Sequence, residues 1–248
     1  MNTIFFDIET SGLDPFIHRP TLIQILKGSE KKIRLFNPDK AEARTLIMTK
    51  RLKELLETNL VVGHNLKFDL KFLKHHFNIE PTHLFDTYIA EVLISGGQKA
   101  GQKGASTLET VAWDYAGIKL KKDQDMWQSF NGQELTQEQI EYAAMDVAVL
   151  PEIHAKQQNQ IKKLGLEKVF STEMSCIPAT VWLELSGIII DLDGVKKLEK
   201  ETRGKLDLSR LNALTILKES GYRNLDLEGM PAVNLNSCLL YTSPSPRD

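Results

Sequence analysis

The stretch IFFDIETSGLD, residues 4 to 14, places two carboxylates, Asp7 and Glu9, inside an apolar run. Its Ile and Phe residues and the turn residues that follow predict a β-strand. Side chains alternate along a strand, so Asp7 and Glu9 share one face, and we expect both to be buried. Two buried anions are costly unless a cation lies between them. The strand therefore predicts a metal site and raises the question of which other carboxylates belong to it.

The composition describes an ordinary globular protein: 248 residues, 42% of them hydrophobic, and a net charge of -2. This length allows one or two domains, and the charge does not indicate a nucleic-acid-binding protein, although local patches stay possible. Cys176 and Cys238 lie far apart, which argues against structural zinc and against a disulfide scaffold. Acids near the N-terminus argue against a signal peptide, and no apolar run approaches the ~20 residues of a membrane span. We expect a cytoplasmic monomer that makes no membrane contact.

The N-terminal half predicts alternating strands and helices. Strands are expected at residues 3–9, 21–27, 32–36, 60–65 and 83–86, and helices at 41–57, 66–77 and 87–95. Helices that cross over between strands favour an α/β domain with a mixed sheet covered by helices. Residues 96–106, rich in glycine, are expected to form a mobile loop.

The C-terminal half is helical. Thr136 and Gln139 have the spacing of a capping box, which predicts a helix from there to about Leu150. Pro151 either kinks this helix or opens the next one. Two further helical stretches, 167–186 and 194–220, have little strand content, so the first domain is expected to end near residue 165.

Two more carboxylates lie on packing faces of the expected helices. Asp69 has Leu66, Phe72 and Leu73 at helical spacing, and Asp146 follows Tyr142 by one turn. Together with Asp7 and Glu9 they make four inward-pointing acids, whose charge matches two divalent cations. Oxygen ligands alone favour Mg²⁺ or Mn²⁺ over zinc. Two such ions are the arrangement used to hydrolyse phosphodiesters, and Tyr142, a poor base, can orient the attacking water.

Other polar residues favour simpler interpretations. Asp86 is expected to be the N-cap of the helix that follows it and not a metal ligand. Three histidines lack metal-ligand spacing and are expected to serve in packing or at the surface: His64, His75 and His76. Three lysines recur at helical spacing; a solvated face is the default and a phosphate-facing strip the alternative: Lys67, Lys71 and Lys74.

Four segments of the sequence together resemble the three exonuclease motifs of the DEDD superfamily, tyrosine subtype. In chain order these segments are FFDIETSGLD, VVGHNLKFDLKFL, FDT and QIEYAAMDVAVL. Within this superfamily, residues 1 to about 165 are similar to the 3′-to-5′ proofreading domain of family A DNA polymerases. The resemblance implies a ribonuclease H-like fold. It implies that Asp7, Glu9 and Asp146 hold the metal that carries the attacking water, that Asp7 also bridges to a second metal, and that Asp69 supports the second. Tyr142 would orient the water.

The same resemblance implies a set of substrate contacts. Leu13 would wedge against the terminal base, and Thr10 and Glu9 would meet the 3′ end. Asn65 and Phe68 would line the strand. Lys103, in the glycine-rich loop, would take the position of a phosphate-binding cation, where the alignment is loose.

Beyond residue 165 the sequence resembles the helical start of a polymerase domain of the same family. This resemblance covers residues 166–237 and ends before the palm, so we expect no polymerase active site in this chain. Residues 238–248, CLLYTSPSPRD, can be back-translated into a DNA sequence that resembles a transposase adapter. We expect this tail to be non-native; a genuine Ser- and Pro-rich disordered tail is the alternative.

These patterns predict a metal-dependent 3′-to-5′ DNA exonuclease that acts on single-stranded or frayed 3′ ends and releases nucleoside monophosphates. An RNase D-like exoribonuclease with the same metal site is the first alternative. A catalytically silent DNA-binding domain is the second, and the intact acids and tyrosine disfavour it.

Overall fold

A computed structural model describes residues 2–28, 30, 32–36, 42–98, 104–120, 129–130, 135–226, 229–233 and 235, without side-chain detail for 42–48. The chain divides into two compact units, Met1–Gly187 and Ile188–Asp248. Lys103 and the tail 238–248 lie outside the described residues, as do the other residues of 99–103 within the expected glycine-rich loop.

The first unit is built on a mixed five-stranded sheet in the order β3-β2-β1-β4-β5. The strands are β1 Thr3–Thr10, β2 Pro20–Lys27, β3 Ile33–Phe36, β4 Leu60–Gly63 and β5 Leu84–Asp86. β1 to β3 form an antiparallel meander, whereas β4 and β5 join β1 in parallel through helical crossovers. The observed sheet confirms the expected α/β class with a mixed sheet.

Helices cover both faces of this sheet because its strands are apolar on both sides. Alternate β1 residues divide between the two cores: Ile4 and Phe6 pack with one set of helices and Phe5 with the other. The first set is α1 Glu42–Glu57, α2 Leu66–Phe77 and α7 Glu167–Ser186. The second set is α3 Thr87–Ile94, α5 Gln137–Ala148 and α6 Leu150–Leu164.

Two features of the helices differ from the sequence prediction. Helix α4, Leu108–Ala116, was not expected; it packs its Val111 and Ala112 against Ile153 of α6. The helix expected to run to Leu150 ends at Ala148, and Pro151 stands in the first turn of α6. Of the two alternatives, Pro151 therefore opens the next helix, where its missing N–H has no cost.

The first compact unit extends beyond the domain boundary expected at residue 165. Helix α7 places Met174, Ile177 and Val181 in the same core as Ile4 and Phe6. Where the domain ends in the family sense stays a prediction. None of the helices in the described part of the chain has the length and hydropathy needed to cross a bilayer.

The second unit consists mainly of helix α8, Leu192–Glu219. Asp191 caps its N-terminus by accepting a hydrogen bond of 3.0 Å from the N–H of Gly194. No residue of α8 is buried, and Leu198, Leu206, Leu211 and Ile216 are exposed. The similarity of this segment to the start of a polymerase domain stays a prediction.

Candidate active site

The two carboxylates of β1 lie beyond the point where its parallel neighbour ends. β4 pairs with β1 only as far as Phe5, which stands opposite Val62, and α2 then begins at Leu66. Asp7 and Glu9 therefore extend past β4, at the carboxyl end of the parallel strands. Open α/β sheets bind their ligands at this edge.

A β-bulge shapes the end of β1. The pairing with β2 shifts between Glu9 and Thr10, so that Glu9 faces Leu22 whereas Thr10 faces Pro20. Thr21, left over by this shift, donates a hydrogen bond of 3.2 Å from its hydroxyl to the Glu9 carbonyl. Bulges are frequent beside active sites, where they change the direction of a side chain.

Helix α5 brings Tyr142 and Asp146 to the same edge. The expected capping box is confirmed: Gln139 N–H donates to the Thr136 hydroxyl at 3.2 Å, and Thr136 N–H donates to the Gln139 side-chain oxygen at 2.7 Å. The Gln139 amide nitrogen also donates to Ser129. The helix start is thus fixed, and Tyr142 and Asp146, four residues apart, point from one face of α5.

Three of the four expected acids meet closely. One carboxylate oxygen each of Asp7, Glu9 and Asp146 lies within 4.8 Å of the others, and in the described part of the chain this is the one group of three or more such residues found. Asp69 in the first turn of α2 is only 3% exposed and lies near enough for the Asp7 charge to act on it. Asp7 and Glu9 are half-buried, where the sequence predicted buried side chains, because they extend past the end of β4.

Burial and mutual repulsion disfavour the charged forms of the carboxylates in the site. Burial raises the pKa of Asp7 to about 6, partly offset by a hydrogen bond from the backbone of Ile8. Burial, then the charges of Asp7 and Asp146, raise the pKa of Glu9 well above its usual value. Burial and the Asp7 charge do the same for the pKa of Asp69. The ionised form of each group is therefore disfavoured in the folded protein, and a bound cation would offset this penalty.

Tyr142 stands beside these carboxylates as a neutral phenol. Burial raises its pKa, and the charges of Asp146, Glu9 and Asp7 raise it further. The Tyr142 hydroxyl therefore keeps its proton near neutral pH and can donate a hydrogen bond. It cannot serve as a general base under those conditions, as the sequence analysis expected.

Asp86 is a cap, as predicted, and it serves two helices. Its carboxylate accepts from the N–H groups of Tyr88 and Ile89 at the start of α3, and from those of Asn65 and Leu66 at the start of α2. Since Asn65 is 21 residues away, only the pairing of β4 with β5 brings the second helix within reach.

The histidines are placed in packing and surface positions, as predicted. His64 bonds the Thr87 hydroxyl at 2.9 Å, His76 bonds the His18 carbonyl at 2.9 Å, and the His75 ring packs edge-on against Phe16. None of them belongs to the carboxylate group that could hold a metal.

The lysines of α2 differ from the prediction of a solvated face. Lys67 and Lys71 both bind Glu184 of α7, at 2.6 and 2.9 Å, and Lys74 pairs with Glu80. These pairs join α2 to its neighbours, because the solvent face predicted from α2 alone is partly covered by α7. The alternative of a phosphate-facing strip gains no support from these pairings.

The expected substrate-contact residues in the described part of the chain differ in exposure and in local contacts. Leu13 is 65% exposed in the loop between β1 and β2. Thr10 is buried and donates to the Gly12 carbonyl at 2.6 Å, so a local bond occupies its hydroxyl. Asn65 is exposed in a left-handed conformation with φ of 60°, and Phe68 is half-buried against Phe72.

The sequence analysis missed one acid near the site. Glu109, in the first turn of α4, is among the charges that raise the pKa of Tyr142. The signal for its helix was present: Thr107 caps the N-terminus and Gly117, in the left-handed conformation, ends it.

The family assignment follows from comparison with known proteins. Residues 1–162 match the family model of the 3′-5′ exonuclease of the DNA polymerase A type. This is more than half of the chain, and the chain therefore belongs to this 3′-5′ exonuclease family.

One curated relative is DNA polymerase I of Aquifex aeolicus (strain VF5), which is 27% identical over 225 residues. The alignment covers 82% of this chain but 36% of that polymerase, so the chain spans about a third of the relative's length.

Solved structures show the same fold. NrnC of Brucella melitensis is 26% identical with a TM-score of 0.63, over 75% of this chain and 85% of that one. The same protein bound to pGG gives 25% identity and a TM-score of 0.62 over the same shares. RNase D of Escherichia coli is 22% identical with a TM-score of 0.60, over 73% of this chain and 45% of RNase D. At this identity the likeness shows a shared fold alone. The ribonuclease H-like expectation for the first unit agrees with these exonuclease neighbours.

Proposed function

We propose that this chain is a metal-dependent 3′-to-5′ exonuclease that removes nucleotides from single-stranded or frayed 3′ DNA ends, as the proofreading part of a DNA polymerase I. The observation that carries the proposal is the convergence of Asp7, Glu9 and Asp146 within 4.8 Å, beside buried Asp69. Membership of the exonuclease family and similarity to a DNA polymerase I support it.

The donor set fits divalent cations of the hard type. The converging ligand atoms are all carboxylate oxygens, with no histidine or cysteine among them, which favours Mg²⁺ or Mn²⁺. Asp7, Glu9 and Asp146 would hold one ion, with Asp7 and Asp69 holding a second. A cation so held activates water and stabilises the leaving oxygen of a phosphodiester.

The remaining roles belong to the chain's own side chains. The protonated Tyr142 hydroxyl donates a hydrogen bond that orients the attacking water. Exposed Leu13 packs against the terminal base. Thr10 and Glu9 contact the 3′ end, and Asn65 and Phe68 line the DNA strand. Lys103 would neutralise a phosphate.

The second candidate is a 3′-to-5′ exoribonuclease. The observation that favours it is the similarity to NrnC, whose structure contains bound pGG. NrnC in that structure is 25% identical to this chain, and the match covers 85% of its length. Both candidates use the same carboxylates, so only the substrate separates them.

The test is degradation of a 5′-labelled single-stranded DNA and of the matching RNA, with Mg²⁺, Mn²⁺ or EDTA. The proposal expects a ladder that shortens from the 3′ end, faster on DNA, absent in EDTA, and slowed at least about 10³-fold by Asp146→Asn. Glu141→Gln is the matched control, since Glu141 lies on α5 but is exposed. Faster cutting of RNA would favour the second candidate, and no cutting with either metal would favour a silent binding domain.

A further inference from the structure

Gln24 of β2 has an unusual environment. The residue is fully buried, and neither its amide nitrogen nor its amide oxygen has a hydrogen-bond partner within the described structure. Buried polar side chains are nearly always hydrogen-bonded, because an unpaired amide loses its contacts with water without replacement. An apolar side chain at this position would be less costly, so the amide needs an explanation.

The position of Gln24 relates it to the candidate site. In the antiparallel pairing of β1 and β2, Gln24 stands directly opposite Asp7. Directly opposite residues point to the same face, with Cβ atoms about 4.5–5.5 Å apart. Its side chain therefore lies on the Asp7 face of the sheet.

Helix α5 covers Gln24 from above. Leu22 and Leu26, two residues to either side on the same strand face, pack in clusters with Ala143 and Val147 of α5. The amide is thus enclosed between β1, β2 and the helix that carries Tyr142 and Asp146. On this face, the residue of β1 directly opposite Gln24 is Asp7, whose carboxylate is a hydrogen-bond acceptor.

Other buried glutamines in the first unit have structural partners for their amide nitrogens, although the Gln157 amide oxygen has none within the described structure. Gln139 completes the capping box of α5, and the amide nitrogen of Gln157 donates to the Thr87 carbonyl at 3.0 Å. Gln24 has no such bond, so tethering of the fold does not account for it.

We propose that Gln24 is a positioning residue of the metal site, whose amide N–H donates to the Asp7 carboxylate once that carboxylate binds a divalent cation. Carboxylates that bind metals are commonly held by such neighbouring donors. The broad terminal torsion of Gln allows the amide to turn toward Asp7 without a change of backbone. The inference rests on the proposed function, because it takes Asp7 as a metal ligand.

The first test compares Gln24→Met, which keeps an unbranched side chain of similar length but lacks the amide, with wild type. Binding of Mn²⁺ alone, measured by isothermal titration calorimetry, should weaken about tenfold or more. The melting temperature without metal should rise by about 2–4 °C, because two unpaired buried groups are removed. A purely structural glutamine would give the opposite change in melting temperature and leave metal affinity unaltered.

Gln157→Met is the matched control. It also removes a buried glutamine amide, but one on α6 whose nitrogen donates to the Thr87 carbonyl and which does not belong to the metal-binding carboxylate group. Its melting temperature should fall while its Mn²⁺ affinity stays at the wild-type value.

A second measurement needs no variant to fold. In a ¹⁵N NMR titration of wild type with Mg²⁺, the Gln24 side-chain amide should shift with the same dissociation constant as calorimetry gives. A Gln24 amide signal that does not respond to saturating Mg²⁺ overturns the inference, as does wild-type Mn²⁺ affinity in Gln24→Met. If wild type itself binds neither ion, the proposed function fails together with the inference; if wild type binds and Gln24→Met binds equally, only the inference fails.

Discussion

Two neighbouring regions at the same edge of the sheet contain buried or half-buried acids whose hydrogen-bond partners differ. At the end of β5, Asp86 accepts four backbone N–H groups, from Asn65, Leu66, Tyr88 and Ile89. At the end of β1, the Asp7 carboxylate has one such bond, from Ile8, and faces the charges of other acids. Burial raises the pKa of both groups to about 6.

The difference teaches how a structural carboxylate can be told from one that serves chemistry. The charge of Asp86 is stabilised by donors of the protein itself, so nothing further is required. The Asp7 carboxylate has a single backbone donor, and Asp7 and Glu9 are partly exposed at the edge of the sheet. The pKa alone would not separate the two; the exposure and the hydrogen-bond partners do.

The largest expected effect is on catalysis, from Asp69→Asn. Removal of this carboxylate should lower exonuclease activity about 10³-fold, because several kcal/mol of transition-state stabilisation depend on a correctly held metal. Without metal the variant should melt at a higher temperature than wild type, since a buried charge repelled by Asp7 is gone. Gel assays and thermal melts in EDTA check the two parts. Activity within tenfold of wild type would place Asp69 with Asp86 among the structural acids.

The opposite pattern is expected for Asp86→Ala. Loss of a cap shared by two helices should reduce the free energy of unfolding by about 2–4 kcal/mol. Activity at low temperature, where the variant is folded, should fall less than tenfold. Asp191→Ala, which removes one exposed cap from α8, is the comparison and should cost about 1 kcal/mol. An Asp86→Ala protein as stable as wild type would remove the basis of the comparison.

The pH dependence of stability should report the change of Asp7 from its protonated to its ionised form. Because the pKa of Asp7 is raised in the folded state, its contribution to stability is present below about pH 4 and is lost as pH rises to about 6. The stability of wild type relative to Asp7→Asn in EDTA should therefore decline across this range, by about 2 kcal/mol. Urea unfolding at pH 4, 5, 6 and 7 measures it.

Metal provides the control for that series. Saturating Mg²⁺ should restore the stability of wild type near neutral pH and have little effect on Asp7→Asn, since a ligand bound only to the folded state stabilises it. A wild-type curve that is parallel to that of Asp7→Asn with and without Mg²⁺ would contradict the assignment of Asp7.

The smallest effect is expected for Tyr142→Phe. Loss of the hydroxyl should lower kcat about tenfold with little change in KM, because the phenol orients water and does not hold the metal. Tyr222→Phe in the second unit is the matched control. A loss of Mg²⁺ affinity in Tyr142→Phe, measured by calorimetry, would show that the residue acts on the metal site instead.

Much of the first unit could be predicted from local patterns. The bounds of α2 and α7 agree with the expected 66–77 and 167–186, because their apolar spacing and ends lie within the segments themselves. The pairing of Asp7 with Glu9, and of Tyr142 with Asp146, followed from the period of a strand and of a helix. Helix α4 was missed although its caps, Thr107 and Gly117, lie directly beside it in the sequence.

The failures concern relations between distant segments. Asp7 and Glu9 were predicted to be buried but are partly exposed, because β4 ends before β1 does. The pairing of Lys67 and Lys71 with Glu184 required the packing of α7 on α2. The second helix capped by Asp86 required β4 and β5 to lie side by side.

The sequence by itself determined the elements, the candidate acids and the chemistry that oxygen ligands favour, because these depend on side-chain type and on spacing along one segment. The tertiary structure alone decided which acids meet, which are satisfied by the backbone, and that Gln24 lies opposite Asp7 without a partner. Strand register and helix packing set these relations, and both depend on contacts between residues far apart in the chain.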